Sequence, residues 1–232
     1  MIQTSNLDIQ NSFDKSLVGK PIFDVAIDIS EVSIDNLINN EFIKNVPIVK
    51  TIAGFVQAGV NIHDRLFLKK LLTFLQKIYE IPECERKKMI DDIKTSSKYR
   101  IKVGEKLLYL LDSCDDYESS ELLARLFSAA LQGYINYDEF LKASHVIVKN
   151  QASTILNFAK TDNDVIDMYE NDVDIETGLY VVHSEKISVD VRENDDYDAG
   201  KDYVAEVGDG GLWASPSEAG SIIKKVFAEG IK

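Results

Sequence analysis

The sequence predicts a mainly α protein: a multi-helix bundle of helical hairpins followed by a small α+β domain. Three observations carry that prediction. Apolar residues recur at helical spacing through most of the first 160 positions. Proline stands at two expected helix starts, Pro47 and Pro82. After Lys160 the composition shifts to acids, turn residues and short β-branched runs. The implied domains are an N-terminal segment over 1–30 that holds a strand, a helical domain over 31–160, and an acidic α+β domain over 161–232.

In chain order, Phe23-Asp-Val-Ala-Ile-Asp-Ile29 alternates apolar and polar residues like a short strand. Ser30 or Ser33 can cap a helix over Ile34–Asn45, with Asp35 in its first turn. Pro47 opens the next helix, where Ile48, Ile52, Phe55, Val56 and Gly59 share a face and Lys50, Gln57 and Asn61 form a narrow polar stripe. A helix apolar over most of its circumference is a buried one. Asn61 or Asp64 opens a long helix to Tyr79 with a seam of Leu68, Leu71, Leu72, Leu75 and Ile78, widened by Phe67 and Phe74. Its other face carries Arg65, Lys69, Thr73, Gln76 and Lys77. Pro82, followed by Glu83 and Glu85, starts a helix to Ile93. Helices over Tyr99–Asp112, Glu118–Gln132 and Asp138–Ala159 complete the bundle. In the last third, strands are expected at Gly178–Val182, Lys186–Val191 and Tyr203–Val207. Gly208-Asp-Gly-Gly211 is a turn, and a helix over Ser217–Ala228 starts from Ser215-Pro216.

Two stretches resemble one unit used twice. At an offset of 54 residues, Leu68 aligns with Leu122, Leu72 with Leu126, Ile81 with Ile135 and Glu85 with Glu139.

The chain has 232 residues, 45% of them hydrophobic, which is enough for one large core or a core with a small appendage. Its net charge of −13 argues against non-specific nucleic-acid binding, whose affinity comes from Lys and Arg on phosphate. Two cysteines, Cys84 and Cys114, make no disulfide framework and imply a reducing, cytoplasmic compartment. The N-terminus lacks the basic and apolar regions of a signal peptide. The apolar run Val46–Ile62 contains Pro47, Lys50 and Gln57 and falls at the bottom of the roughly 17–25-residue range of a spanning helix.

The charge is unevenly placed. From Phe42 to Tyr79 stand six basic residues (Lys44, Lys50, Arg65, Lys69, Lys70 and Lys77) against one acid, Asp64. Residues 161–232 hold 18 acids against six basic residues. A basic, apolar hairpin in an acidic protein must dock on something acidic or be covered by its own chain.

Motifs that carry chemistry are few. Gly133-Tyr-Ile-Asn-Tyr-Asp-Glu-Phe140 resembles the second half of an EF-hand loop, but the first, third and fifth positions fall on Ser128, Ala130 and Gln132, which supply no carboxylate. Asn194, Asp196 and Asp198 have alternate spacing, with the required glycine one residue late at Gly200. Asp172, Asp174 and Glu176 fail in the same way. Solvated loop acids are the expectation, with Asp196 and Asp198 the residual divalent-ion candidates. His63, His145 and His183 are far apart and out of metal-ligand spacing. The sequence holds no Gly-x-Ser-x-Gly elbow, Walker A loop or His-Glu-x-x-His. Trp213 reads as the core residue that docks the final helix.

Val46-Pro-Ile-Val-Lys-Thr51, Asp64-Arg-Leu-Phe-Leu-Lys-Lys-Leu71, Ile81-Pro-Glu-Cys-Glu85 and Arg125-Leu-Phe127 with Gly133-Tyr-Ile135 resemble segments of uncharacterised bacterial helical proteins. The paired hairpins are similar to the TerB-like helical domain of tellurite-resistance systems. That family holds metal through an acidic turn before a Glu. Here the turn before Glu85 keeps one acid and the turn before Glu139 none, so the metal role does not carry over. The resemblance implies a bacterial membrane-stress or antiphage setting. The last domain is similar in outline to a degenerate winged helix, with a charge that opposes DNA.

The expected function is that of a non-enzymatic interaction protein. Lys50, Arg65, Lys69, Lys70 and Lys77 form its surface for a protein partner, the acidic last third is its cover or regulator, and no cofactor is implied. One alternative lays the hairpin on an anionic membrane surface, peripheral to the inner membrane, with lysines snorkelling beside Phe55, Phe67 and Phe74. The other is an enzyme or metal protein with a scattered site. The sequence assigns no catalytic residue and no small-molecule ligand.

Overall fold

The computed structural model describes residues 2–19, 29, 32, 36–37, 40–56, 62–96, 103–162, 165–169, 173–185, 189–194, 202–207 and 210–228. It is mainly helical, with a small antiparallel sheet region. Two compact units make up the chain: Met1–Lys160 with Ile222–Lys232, and Thr161–Ser221.

The helical unit begins with α1 (Ile2–Val18). The sequence reading of residues 1–30 as a segment that holds a strand places no helix here. The strand expected at 23–29 lies outside the described residues apart from Ile29. Phe13, Ser16 and Leu17 of α1 are buried at helical spacing. The helix packs against α3 (Pro47–Val56), α4 (Ile62–Ile78), α5 (Glu83–Thr95) and α6 (Val103–Ser113), and so lies at the centre of the unit. Ser16 Oγ donates to Ser12 O at 2.9 Å and accepts from the Ile48 N–H at 3.1 Å. That second bond satisfies one of the orphan donors at the start of α3.

The helix expected over Ile34–Asn45 is interrupted. Residues 36–37 are helical, Asn40 is not, and α2 covers Glu41–Lys44. Asn40 Oδ1 accepts from the Ile43 N–H at 3.3 Å, as a cap does. In α4 the whole predicted seam, Leu68, Leu71, Leu72, Leu75 and Ile78, is buried together with Phe74. Thr73, expected on the outer face, is buried as well. Pro82 stands one residue before α5, with φ −53° and ψ 139°.

After α6 come α7 (Tyr117–Leu131), α8 (Tyr137–Ile147) and α9 (Ala152–Ala159). The single helix expected over Asp138–Ala159 is thus two. Its break follows Val148, and Asn150 Nδ2 turns back to donate to Val146 O at 2.7 Å. Helices α4 and α7, the first members of the two similar hairpins, pack against each other through buried Leu68, Leu72, Leu122 and Leu126. Neighbouring aromatic rings run across the core: Phe13 to Phe74 at 6.3 Å, Phe74 to Phe127 at 6.0 Å, and Phe127 to Phe140 at 5.1 Å. Such pairs add about 0.5–1.5 kcal/mol each beyond their burial.

The second unit holds β1 (Ile166–Asp167), β2 (Tyr180–Ser184), β3 (Val189–Asn194), β4 (Asp202–Val207) and β5 (Leu212–Pro216). All pairings are antiparallel. Strand β5 is central, between β1 and β2, while β3 and β4 form a separate ribbon from Val189↔Val207 to Asn194↔Asp202. Strands β1 and β5 were not anticipated. The signals at Ser215-Pro216 belong to the end of β5, and Ser217 opens α10 (Glu218–Phe227) by accepting from the Gly220 N–H at 3.0 Å. Trp213 lies within β5. Its ring stacks on His183 of β2 with centroids 3.9 Å apart.

Candidate functional site

The EF-hand-like stretch has a structural use. Gly133 follows the end of α7 with φ +79°. The Gly133 and Tyr134 N–H groups donate to Ala130 O and Ala129 O at 3.0 and 2.9 Å, the paired bonds of a Schellman cap. Glu139 then closes a capping box: its Oε2 accepts from the Asn136 N–H at 2.7 Å, and Asn136 Oδ1 accepts from the Glu139 N–H at 3.0 Å. The corresponding turn of the first hairpin has no side-chain cap at Pro82. Among the described residues no group of three or more His, Cys, Asp or Glu side chains could hold a metal ion. Asp196 and Asp198 lie outside the described residues.

His183 Nε2 and Ser215 Oγ are 2.9 Å apart, within reach of proton transfer. A nucleophile–base pair also needs a third group to orient the imidazole. Among the described residues Nδ1 of His183 has no such partner, and the ring is placed by Trp213.

The five basic residues expected to form one surface are dispersed. Lys50 is exposed on α3. Arg65 lies on α4, its side chain outside what the structure describes. Lys77 Nζ is 3.0 Å from Glu80 Oε2 across one turn. Lys69 and Lys70 face the connection between α6 and α7. The Lys69 ammonium stands 5.1 Å from the centroid of the Tyr117 ring, a cation–π distance. Lys70 Nζ donates to the Cys114 carbonyl.

This last pair lines a groove of about 400 Å³. One wall is α4, with Leu66, Lys69 and Lys70. The other is the turn from Asp112 through Cys114 and Asp115 to Tyr117. Leu66 is 52% exposed and Tyr117 38%, so an apolar side chain on each wall is open to solvent. Asp116 is committed to the fold: it caps α7, with Oδ1 accepting from the Ser119 N–H at 2.7 Å. Cys114 is buried, and burial pushes its thiol up to about 12 despite Lys70 alongside, so it is a neutral floor rather than a nucleophile. The groove is bipolar, basic on one side and acidic on the other.

The units differ sharply in charge. Thr161–Ser221 contains 17 acidic and 3 basic residues, a formal −14, which leaves the rest of the chain at +1. Counter-charges for the basic window therefore already exist within the helical unit: Lys77 pairs with Glu80, and Lys70, bonded to the Cys114 carbonyl, lines the same groove as Asp112 and Asp115. That juxtaposition joins residues 44 positions apart, and no local spacing signals it. The one sequence signal is compositional: a Lys-Lys pair in one segment and an Asp-Asp pair in another.

No protein-family model, no curated protein and no solved structure matches this chain. Among the described residues no helix is long and apolar enough to cross a membrane. Phe74, which the membrane alternative sets beside lipid, is fully buried in the core.

Proposed function

We propose that the chain is a non-enzymatic interaction protein of a regulatory kind, and that the groove between α4 and the α6–α7 turn receives a segment of a protein partner. The observation that supports this reading is the pairing of exposed Leu66 and Tyr117 with Lys69 and Lys70 in one open groove. Aromatic anchors flanked by fixed charges are the residues that dominate protein interfaces. Opposite charges on the two walls select a partner segment that carries both signs, and they select against nucleic acid. The similarity to TerB-like helical domains points the same reading to a bacterial stress or antiphage-defence setting.

The test is affinity capture from the source cells with chemical crosslinking, comparing the native chain with Leu66→Ser/Tyr117→Ser. Recovery of a defined partner by the native chain, and its loss from the folded double variant, is expected. A partner set unchanged by the two substitutions rejects the groove as the docking surface.

A further inference from the structure

A second, smaller cavity lies at the other end of α4, between α4 and α7, with a volume of about 80 Å³. Helix α7 contributes Arg125, Ser128 and, just past its end, Gln132, which recur at helical spacing along one face. Lys77 stands opposite, with Glu80 beside it. The apolar part of the lining is Ile81 and Val226.

Three features of the lining point to a ligand. The Arg125 guanidinium lies 5.0 Å from the centroid of the Phe227 ring, a cation–π contact that uses none of its N–H donors. Among the described residues Arg125 has no hydrogen-bond acceptor and no ion-pair partner. Ser128 Oγ is buried and makes no hydrogen bond among the described residues. A buried hydroxyl left in that state is unfavourable, and an oxygen acceptor placed in the cavity satisfies it. Lys77 adds a second cation at the rim, ion-paired with Glu80 at 3.0 Å. The C-terminal ends of α4 and α7 lie beside the cavity, and their helix dipoles oppose an anion. Arg125 outweighs them, because it is a full charge with no ion-pair partner among the described residues, and Lys77 with Glu80 is neutral as a pair.

We infer that this cavity binds a small oxyanion of the phosphate type, with Arg125 forking onto two of its oxygens, Ser128 donating to a third and Lys77 supplying charge. Arginine's planar fork matches such a group in shape as well as in charge. The size sets the class, since a cavity of about 80 Å³ holds a single small anion and is far below the roughly 300–1,000 Å³ of sites for drug-sized ligands and cofactors. The phosphate is therefore either the free ion or the terminal group of a phosphorylated side chain reaching in from outside. This site is separate from the groove of the proposed partner surface and does not depend on that reading.

The experiment is thermal unfolding and calorimetric titration of the full chain with inorganic phosphate and with phosphoserine, at ionic strength held constant with chloride. Phosphate is expected to raise the melting temperature in a saturable way that chloride does not reproduce, and Arg125→Met and Ser128→Ala each to weaken binding at least tenfold. Ser128→Ala removes only the unbonded hydroxyl, so it keeps the test valid if Arg125→Met fails to fold. Phosphoserine binding as tightly as phosphate assigns the site to a phosphorylated chain, and phosphate binding alone assigns it to the free ion. Equal responses to phosphate and chloride, or an unchanged phosphate affinity in Ser128→Ala, overturn the proposal.

Discussion

Replacing Arg86 by methionine removes a fixed charge from the centre of the helical unit. Arg86 is 0% exposed and has no carboxylate partner among the described residues. Its donors go instead to backbone: Nε to Ile81 O at 3.0 Å, Nη2 to Gly19 O at 2.9 Å, and Nη1 to Leu17 O. The last two carbonyls belong to the end of α1, where unpaired C=O groups and the helix dipole both favour a cation. The Tyr79 ring lies 5.0 Å from the guanidinium, and its hydroxyl donates to Ser16 O at 2.8 Å. Arg86 and Tyr79 together thus tie off the C-terminus of α1. Burial lowers the Arg86 pKa, opposed by Tyr79 and Glu83, yet an arginine keeps its proton through such a shift.

Methionine preserves most of the stem volume but leaves three carbonyls without donors, two of them deep in the unit. Each orphaned buried group costs about 1–3 kcal/mol, partly relieved by water reaching Gly19 at the surface. A loss of about 3–5 kcal/mol follows, the scale for breaking a buried charged interaction by removing one partner. For a unit of this size that is a fall in melting temperature of about 10–15 °C. Urea unfolding followed by circular dichroism measures the total, and amide exchange in α1 localises it. Arg86→Lys, which cannot fork onto Leu17 and Gly19 together, should fall in between. A loss under about 1 kcal/mol for Arg86→Met, or unchanged exchange in α1, would refute the reasoning.

Three further predictions concern Gly133, the two cysteines, and the buried Tyr79 and Cys114 as titrating groups. Gly133→Ala should destabilise by about 1–2 kcal/mol by urea unfolding, because its φ of +79° is unfavourable for any other L residue although a Cβ there meets nothing within 4 Å. Ellman's reagent should titrate one thiol, exposed Cys84, in the native protein and two in denaturant. Burial raises both Tyr79 and Cys114 to about 12, from ordinary values of 10.0 and 9.0. The unfolded chain therefore releases these protons first, so the stability they contribute is complete below pH 9 and is lost as pH rises toward 12. The urea midpoint should fall across that window, and Cys114→Val should flatten its lower part.

The α4 seam was legible because five leucines and isoleucines recur with one period and nothing interrupts them. Helix α1 was not, since Ser5, Asn6, Asn11 and Ser12 have low helix propensity and its stability comes from four packed neighbours and from Arg86 at its end. The break between α8 and α9 depends on the side chain of Asn150 returning to Val146, a competition that apolar periodicity does not register. Strand β5 was hidden by Pro216 and a glycine-rich turn, both of which signal the end of a strand. Pro216 is tolerated because it is the last residue of β5 and pairs with Tyr180 on one side, while β1 reaches only Ala214 and Trp213. Of the groove, the Lys-Lys and Asp-Asp pairs could be seen in the sequence. Their meeting could not, because packing of α4 against α6 and α7 brings them together.

The partner surface is tested most directly by amide exchange and crosslinking on the full chain bound to the partner recovered by capture. Protection and crosslinks concentrated at Leu66–Lys70 and Asp115–Tyr117 are predicted. A complex that leaves those residues as exposed as in the free chain, with protection elsewhere, contradicts the account.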